Sequence, residues 1–247
     1  RKSPLEIKVT EVHMCSVDLR LKILGQLPFF QELPATALAE INHIFRENGF
    51  ESGETICLAG DRAEQLFVVA DGRVKLLRHS LAGKDILLDL LSLGEFFGSL
   101  SMGKDDVYPD TAQAQTNVCI LTIGREAFHQ ILKQYPPIAV SVIGIMASRL
   151  QAANERVQQL SVLPVEGRIA SILLMLSRKF GKPHTVGRLI QVPLSRDDLA
   201  AFTGTTSETA SRVMSQFQKD GLIQSGRQWV AVTDQKRLEE LVFKSEG

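Results

Sequence analysis

The 247-residue chain is poor in cysteine, with three, and in aromatic side chains, at 6%. Cys15, Cys57 and Cys119 lie far apart and form no CxxC pair. An odd, scattered set argues against a disulfide framework and against structural zinc, and it fits a reducing cytoplasm. No run of 18 or more apolar residues occurs, so no membrane-spanning segment and no membrane partner are expected. No basic start followed by an apolar stretch occurs either, so no secretory signal is expected. Net charge is zero, with 28 Lys and Arg against 28 Asp and Glu. A Gly-rich phosphate loop, a nucleophile elbow and a metal-ligand cluster are all missing, which argues against an enzyme and against a bound metal. What is present is an ordinary 44% of hydrophobic residues. That is enough apolar surface to offset the entropy of ordering, at a length that admits one large domain or two small ones.

The neutral total is unevenly spread. Residues 1–164 carry 16 Lys and Arg against 19 Asp and Glu, a net of −3; residues 165–247 carry 12 against 9, a net of +3. A basic C-terminal third on an acidic body is the charge pattern of a nucleic-acid-binding module. The residue patterns divide the chain in three: residues 1–135, 136–163 and 164–247. From about Leu27 to Arg125, strand and turn signals are dense. Asp71-Gly72 lies between the runs Leu66–Val69 and Val74–Leu77 and predicts a β-hairpin. Gly53-Glu54, Gly60-Asp61, Ala82-Gly83-Lys84 and Leu93-Gly94-Glu95 punctuate the region as in an all-β roll or barrel, with Cys119–Ile123 as a late strand. The period then changes. Ala139, Ile143, Met146, Leu150, Ala153, Val157 and Leu160 recur at alternating spacings of four and three, a heptad stripe of about three repeats. Such a seam predicts a long helix that pairs with a second copy of itself, with Ala153 permitting close approach. Leu163-Pro164 ends the helix.

Residues 165–247 then read as helix (Gly167–Lys179), strand (Leu189–Val192), two short helices and a hairpin. Ser195 caps the first short helix, with Asp197 and Asp198 in its opening turn. It stops at Phe202-Thr203-Gly204. The second starts at Thr206 or Ser207 and runs to about Lys219. Two short helices around a tight Gly-containing turn predict a helix-turn-helix, and the hairpin over 221–232 makes it a winged helix. The start of the second helix offers Ser207, Glu208, Ser211 and Arg212 to base edges: Glu208 can accept from cytosine N4 and Arg212 can fork onto guanine O6 and N7. Ser195, Arg196, Thr206, Thr209 and Arg227 are the candidate phosphate contacts, the hydroxyls lying beside helix N-termini that favour anions. The implied partner is double-stranded DNA.

Three blocks in this order resemble the CRP/FNR superfamily of bacterial transcription regulators. Gly53–Asp61, Phe67–Lys75 and Gly94–Gly98 look like its cyclic-nucleotide-binding β-roll. Met146–Gln151, Glu155–Leu160 and Val165–Ala170 resemble its dimer helix and hinge. Leu194–Leu199 and Glu208–Arg212 through Phe217-Gln218 resemble its helix-turn-helix. The resemblance implies an α+β chain: an N-terminal cyclic-nucleotide-binding-like β-roll, a long dimerisation helix with seam Ile143, Met146, Leu150, Ala153, Val157 and Leu160, and a C-terminal winged helix-turn-helix. It implies a homodimer on a palindrome, with RNA polymerase as a further partner if the protein activates. Glu208, Ser211 and Arg212 match the base-reading positions of the FNR branch, so the implied operator is similar to TTGAT-N4-ATCAA. Ser207 stands where the catabolite activator has an arginine.

The effector positions depart from the family pattern. Ser99 follows the cassette glycine, Gly98, where cAMP-binding members carry a ribose-holding glutamate. The phosphate-holding Arg-Ser pair falls on Asp110-Thr111, and the helix pair that meets adenine falls on Ala153-Asn154. Gly98, Ser99, Leu100, Asp110, Thr111, Arg149, Ala153 and Asn154 therefore form the candidate effector pocket, and cAMP is not expected to bind it tightly, because Asp110 repels a phosphate and offers no donor fork. Cys15 and Cys119 cannot supply the four thiolates of an iron–sulfur cluster. The segment Tyr108–Ala114 is similar to haem- and nitric-oxide-responsive members, which leaves His13, Cys15 and Cys119 as candidate haem ligands or redox thiols. The remaining histidines, His43, His79, His129 and His184, are read as structural or solvated. The cofactor stays open.

Overall fold

The computed structural model describes residues 17–79, 85–99 and 106–243. The chain forms two compact units, residues 1–76 with 90–142, and residues 77–89 with 143–247.

The described part of the first unit begins with helix α1 (Val17–Gln26), and a second helix, α2 (Ala35–Ile44), stands where strand signals were expected from Leu27 onward. Strands begin at β1 (Arg46–Phe50), followed by β2 (Thr55–Cys57), β3 (Gln65–Asp71), β4 (Val74–His79), β5 (Asp85–Leu91), β6 (Phe96–Gly98), β7 (Thr111–Ala114) and β8 (Val118–Gly124). They form two four-stranded sheets, ordered β1-β8-β3-β6 and β2-β7-β4-β5. Every inner position of β3 from Leu66 to Ala70 is buried, as is β8 from Val118 to Ile123. Continuous burial of both strands explains why they read as apolar runs instead of alternating ones. Between the sheets pack Phe67, Val69, Val74, Leu91, Phe97, Tyr108 and Ile120. Phe67 stacks on Phe97 with centroids 4.9 Å apart, and Tyr108 tilts against Phe67 at 5.7 Å. A second aromatic group joins Phe29, Phe30, Phe96 and Phe128, tying the loop after α1 and the helix α3 (Arg125–Gln134) to the roll.

The expected hairpin at Asp71-Gly72 does not form. β3 and β4 belong to different sheets, and the chain crosses from one to the other at Gly72. The cause is nonlocal. The register between β3 and β8 slips at Asp71↔Cys119, and the Arg73 amide turns to the Thr116 hydroxyl at 3.0 Å instead of to a hairpin partner.

The helix α4 (Pro136–Val162) is 27 residues long. Along it Ile143, Leu150, Val157 and Leu160 stay 44–68% exposed, while only Ile138 and Val142 are buried. Against the expectation from the raw sequence, α4 is long and apolar enough to cross a membrane by length and composition, alone in this among the described residues. It nevertheless carries Arg149, Glu155 and Arg156.

The second unit packs α5 (Val165–Phe180) against a four-stranded sheet ordered β11-β12-β10-β9. Its strands are β9 (Gly181–His184), β10 (Gly187–Ile190), β11 (Ile223–Gly226) and β12 (Trp229–Val232). α5 begins two residues before the expected Gly167, and β10 two residues before the expected Leu189. β9 and a final helix, α8 (Gln235–Phe243), were not anticipated. Arg156 belongs to this unit, as do residues 77–89, which include parts of β4 and β5. The Arg156 guanidinium lies 5.4 Å over the Phe202 ring and donates to the Leu88 carbonyl, and burial lowers its pKa.

Candidate nucleic-acid interface and effector residues

Two helices build the basic unit's outward face. α6 (Arg196–Thr203) starts in a capping box: the Asp198 amide donates to Ser195 Oγ at 3.0 Å, and the Ser195 amide donates to Asp198 Oδ2 at 2.9 Å. Two orphan amides are satisfied reciprocally, which fixes where the helix begins. It ends at Gly204, whose φ of +62° is left-handed and lets the chain reverse in a tight turn. α7 (Ser207–Lys219) starts at once, its amide at Thr209 donating to Thr206 Oγ1 at 3.2 Å. Both starts lie within a residue of where the sequence put them. Thr206→Ala should cost about 1 kcal/mol, measured by thermal unfolding of the full chain, with Thr206→Ser recovering most of it.

α7 is sharply two-faced. Ala210, Val213, Met214 and Phe217 are buried, whereas Glu208, Arg212, Ser215 and Gln216 are exposed and Ser207 and Ser211 half-buried. The spacing of three and four brings Glu208, Ser211 and Arg212 onto one outward face. The Ser207 hydroxyl donates to the Asp197 carboxylate of α6. The hydroxyls of Ser195 and Thr206 are engaged in caps, and Thr206 Oγ1 also donates to Thr209 Oγ1 at 3.0 Å. The anion-favouring feature they leave is the helix terminus itself. Arg196 is half-buried, and burial lowers its pKa. Arg227 is exposed in the two-residue turn between β11 and β12, whose register pairs Gly226 with Trp229. The wing hairpin forms where the sequence predicts one, but its turn falls at Arg227-Gln228, shifted from Ser225-Gly226-Arg227, where the sequence puts it.

The effector candidates divide between the units. Gly98, Ser99, Asp110 and Thr111 lie in the β-roll; Arg149, Ala153 and Asn154 lie on α4, the last two exposed. Leu100, His13 and Cys15, and the turn Ala82-Gly83-Lys84, lie outside the described residues. Gly98 closes β6 opposite Leu66 of β3. Ser99 Oγ donates to Asp106 Oδ2 at 3.3 Å. Thr111 is buried and its hydroxyl accepts from the Ala59 amide at 3.1 Å, so it anchors a turn of the roll. The Cys57 thiol is pushed up to about 11 by burial, with the carboxylates of Asp110 and Asp61 adding to the rise. Cys119, in β8, is buried, and its thiol donates to Glu47 Oε1 at 3.4 Å. Among the described residues no three His, Cys, Asp or Glu side chains gather as a metal site.

Residues 47–135 match the family model of the cyclic nucleotide-binding domain, and residues 167–241 that of the Crp-like helix-turn-helix domain. The chain is 30% identical over 216 residues to the cyclic AMP receptor protein of Thermus thermophilus, covering 87% of this chain and 97% of the relative. It is 25% identical over 217 residues to the CRP-like cAMP-activated global transcriptional regulator of Mycobacterium tuberculosis, covering 88% and 97%. FixK2 from Bradyrhizobium japonicum shares the fold, with a TM-score of 0.72 at 22% identity over 80% of this chain and 97% of that one.

Proposed function

Since the chain belongs to the CRP/FNR family of transcription regulators, with a cyclic nucleotide-binding domain and a Crp-like helix-turn-helix, we propose that it binds a palindromic DNA site as a homodimer. The observation that carries this reading is the two-faced α7, which buries Ala210, Met214 and Phe217 and turns Glu208 and Arg212 outward. A helix so seated can enter the major groove by its first turns. Glu208 accepts from a cytosine amino group and Arg212 forks onto a guanine, so the half-site resembles TTGAT, with its mirror one helical turn away. The termini of α6 and α7, with Arg196 and Arg227, sit on the phosphates. The exposed stripe of α4 supplies the two-fold seam. The protein works in the cytoplasm, where its DNA is, and where it activates it also meets RNA polymerase.

Arg212→Ala should weaken binding to the preferred site by about 1–3 kcal/mol and relax choice at one base pair, leaving nonspecific binding nearly unchanged. Fluorescence anisotropy on matched and scrambled duplexes checks this; equal selectivity in parent and variant would remove α7 from the interface.

The β-roll senses the controlling signal, and that signal is not a cyclic phosphate gripped in the cAMP manner. Thr111 is buried, its hydroxyl accepting from the Ala59 amide, and the neighbouring position where a phosphate needs a cationic donor is Asp110, a carboxylate. A phosphate there meets repulsion where it needs a guanidinium fork. Calorimetric titration with cAMP should show no saturable heat, and saturation at micromolar ligand would overturn this part.

A further inference from the structure

Ser207, the first residue of α7, and Asp197, the second of α6, meet across the helix-turn-helix turn, and the Ser207 hydroxyl donates its proton to the Asp197 carboxylate. The two residues are ten apart in sequence and both belong to helix starts. A serine hydroxyl has one proton and two lone pairs, and an ionised carboxylate only accepts. A serine that spends its proton on Asp197 has only lone pairs left to offer DNA.

We propose that Asp197 is a positioning residue that fixes the Ser207 hydroxyl as an acceptor, so that Ser207 selects a base carrying an amino group in the major groove. Cytosine N4 and adenine N6 are the amino donors there; guanine O6 and N7 and thymine O4 are acceptors and meet the Ser207 lone pairs unfavourably. A serine free to rotate could donate or accept and would choose poorly between them. Asp197 removes that freedom. Glu208, the next residue, is also acceptor-only, so the opening of α7 presents two adjacent acceptors, and the DNA they fit has its amino-bearing bases, adenine or cytosine, on the strand that faces them at neighbouring positions. The Asp197 carboxylate is itself favoured where it stands, in the first turn of α6 at the positive end of the helix dipole.

This inference rests on the reading of α7 as the base-reading helix, and the test separates the two. The full-length protein and the variants Asp197→Ala, Ser207→Ala, the double variant and Arg212→Ala are each bound to a library of duplexes randomised over one half-site, and base preferences are read as ratios within each variant. Ratios do not depend on what fraction of a variant is folded. In the parent, adenine or cytosine should be preferred about five- to tenfold over guanine and thymine at the position that Ser207→Ala flattens. Asp197→Ala should flatten the same position to within about twofold and leave the Arg212 position untouched. The double variant should look like either single variant there. A preference that survives Asp197→Ala overturns the inference. So does an Asp197→Ala effect equal for all sequences, which would make the carboxylate a mere repeller of phosphates, and so does a Ser207→Ala variant with no flattened position. If Arg212→Ala also leaves every preference intact, the reading of α7 itself falls.

Discussion

On the proposed reading of α4 as a two-fold seam, Leu150→Glu is expected to leave the protein monomeric at micromolar concentration and, with that, to abolish binding to the proposed palindromic site. The reasoning starts from exposure. Ile143, Leu150 and Val157 are 68%, 63% and 63% exposed and lie one heptad apart on α4, with Leu160 44% exposed one half-repeat on. Full burial of such a side chain contributes about 1.5–3 kcal/mol, so burying the exposed parts of four from each of two helices contributes roughly 7–14 kcal/mol before association is charged. Association costs about 4–15 kcal/mol, so the seam is adequate without a large surplus. In a two-fold seam each substitution appears twice and opposite itself. Leu150→Glu deletes two apolar contacts and sets two carboxylates face to face where water is leaving, at several kcal/mol per uncompensated ion. The surplus disappears. Sedimentation velocity reports the oligomeric state directly, and a dimer that persists in Leu150→Glu would show that the stripe is covered by something else. Leu150→Ile serves as the control, since it keeps an apolar seam of the same volume and should keep the dimer. DNA binding should follow the oligomeric state, because each half-site alone provides only half of the contacts and none of the linkage.

The same stripe shows which parts of this chain can be read from residues alone. It was legible because a heptad is a local pattern on one element. The helix-turn-helix was legible for a related reason: Ser195 and Thr206 are caps, Gly204 needs a left-handed backbone, and each signal acts within four residues. β9 left no trace, since Gly181–His184 contains a proline and a lysine and shows no alternation; it is held by its pairing with β10. α8 has one buried residue, Leu238, and its packing on α5 decides it. At the site, the outward residues of α7 followed from helical spacing. The engagement of Ser207 by Asp197, and of Thr111 by Ala59, did not, because both partners come from other segments. Asp71-Gly72 misled in the opposite direction. Its local chemistry favours a hairpin, and the competing sheets overrode it.

That override sets a large expected effect on stability, at Gly72→Ala. At Gly72 φ is +80°, and a Cβ there would sit 2.3 Å from the Asn117 carbonyl oxygen, 2.7 Å from Val118 Cγ1 and 2.8 Å from Thr116 Oγ1. Two costs add. A left-handed backbone costs a residue with a Cβ roughly 1–2 kcal/mol. The carbonyl contact is far inside van der Waals range, and Asn117 cannot yield cheaply: its neighbour Val118 opens β8, and its own Oδ1 accepts from the Ser52 amide at 3.0 Å. Backbone strain of that kind adds on the order of 1–3 kcal/mol. Gly72→Ala should therefore lose about 2–5 kcal/mol, a large share of the roughly 5–15 kcal/mol of a typical domain. Gly53 separates the two costs. Its φ is +93°, yet nothing lies within 4 Å of an added Cβ, so Gly53→Ala should pay the conformational cost alone, about 1–2 kcal/mol. Urea unfolding followed by Trp229 fluorescence reports on the winged helix, so the roll is better followed by far-ultraviolet circular dichroism. Equal losses for the two alanines would mean that the crossover relaxes freely around residue 72. A clearly larger loss at Gly72 is the signature of a chain that must pass closely beneath Asn117 to carry β3 out of one sheet and β4 into the other.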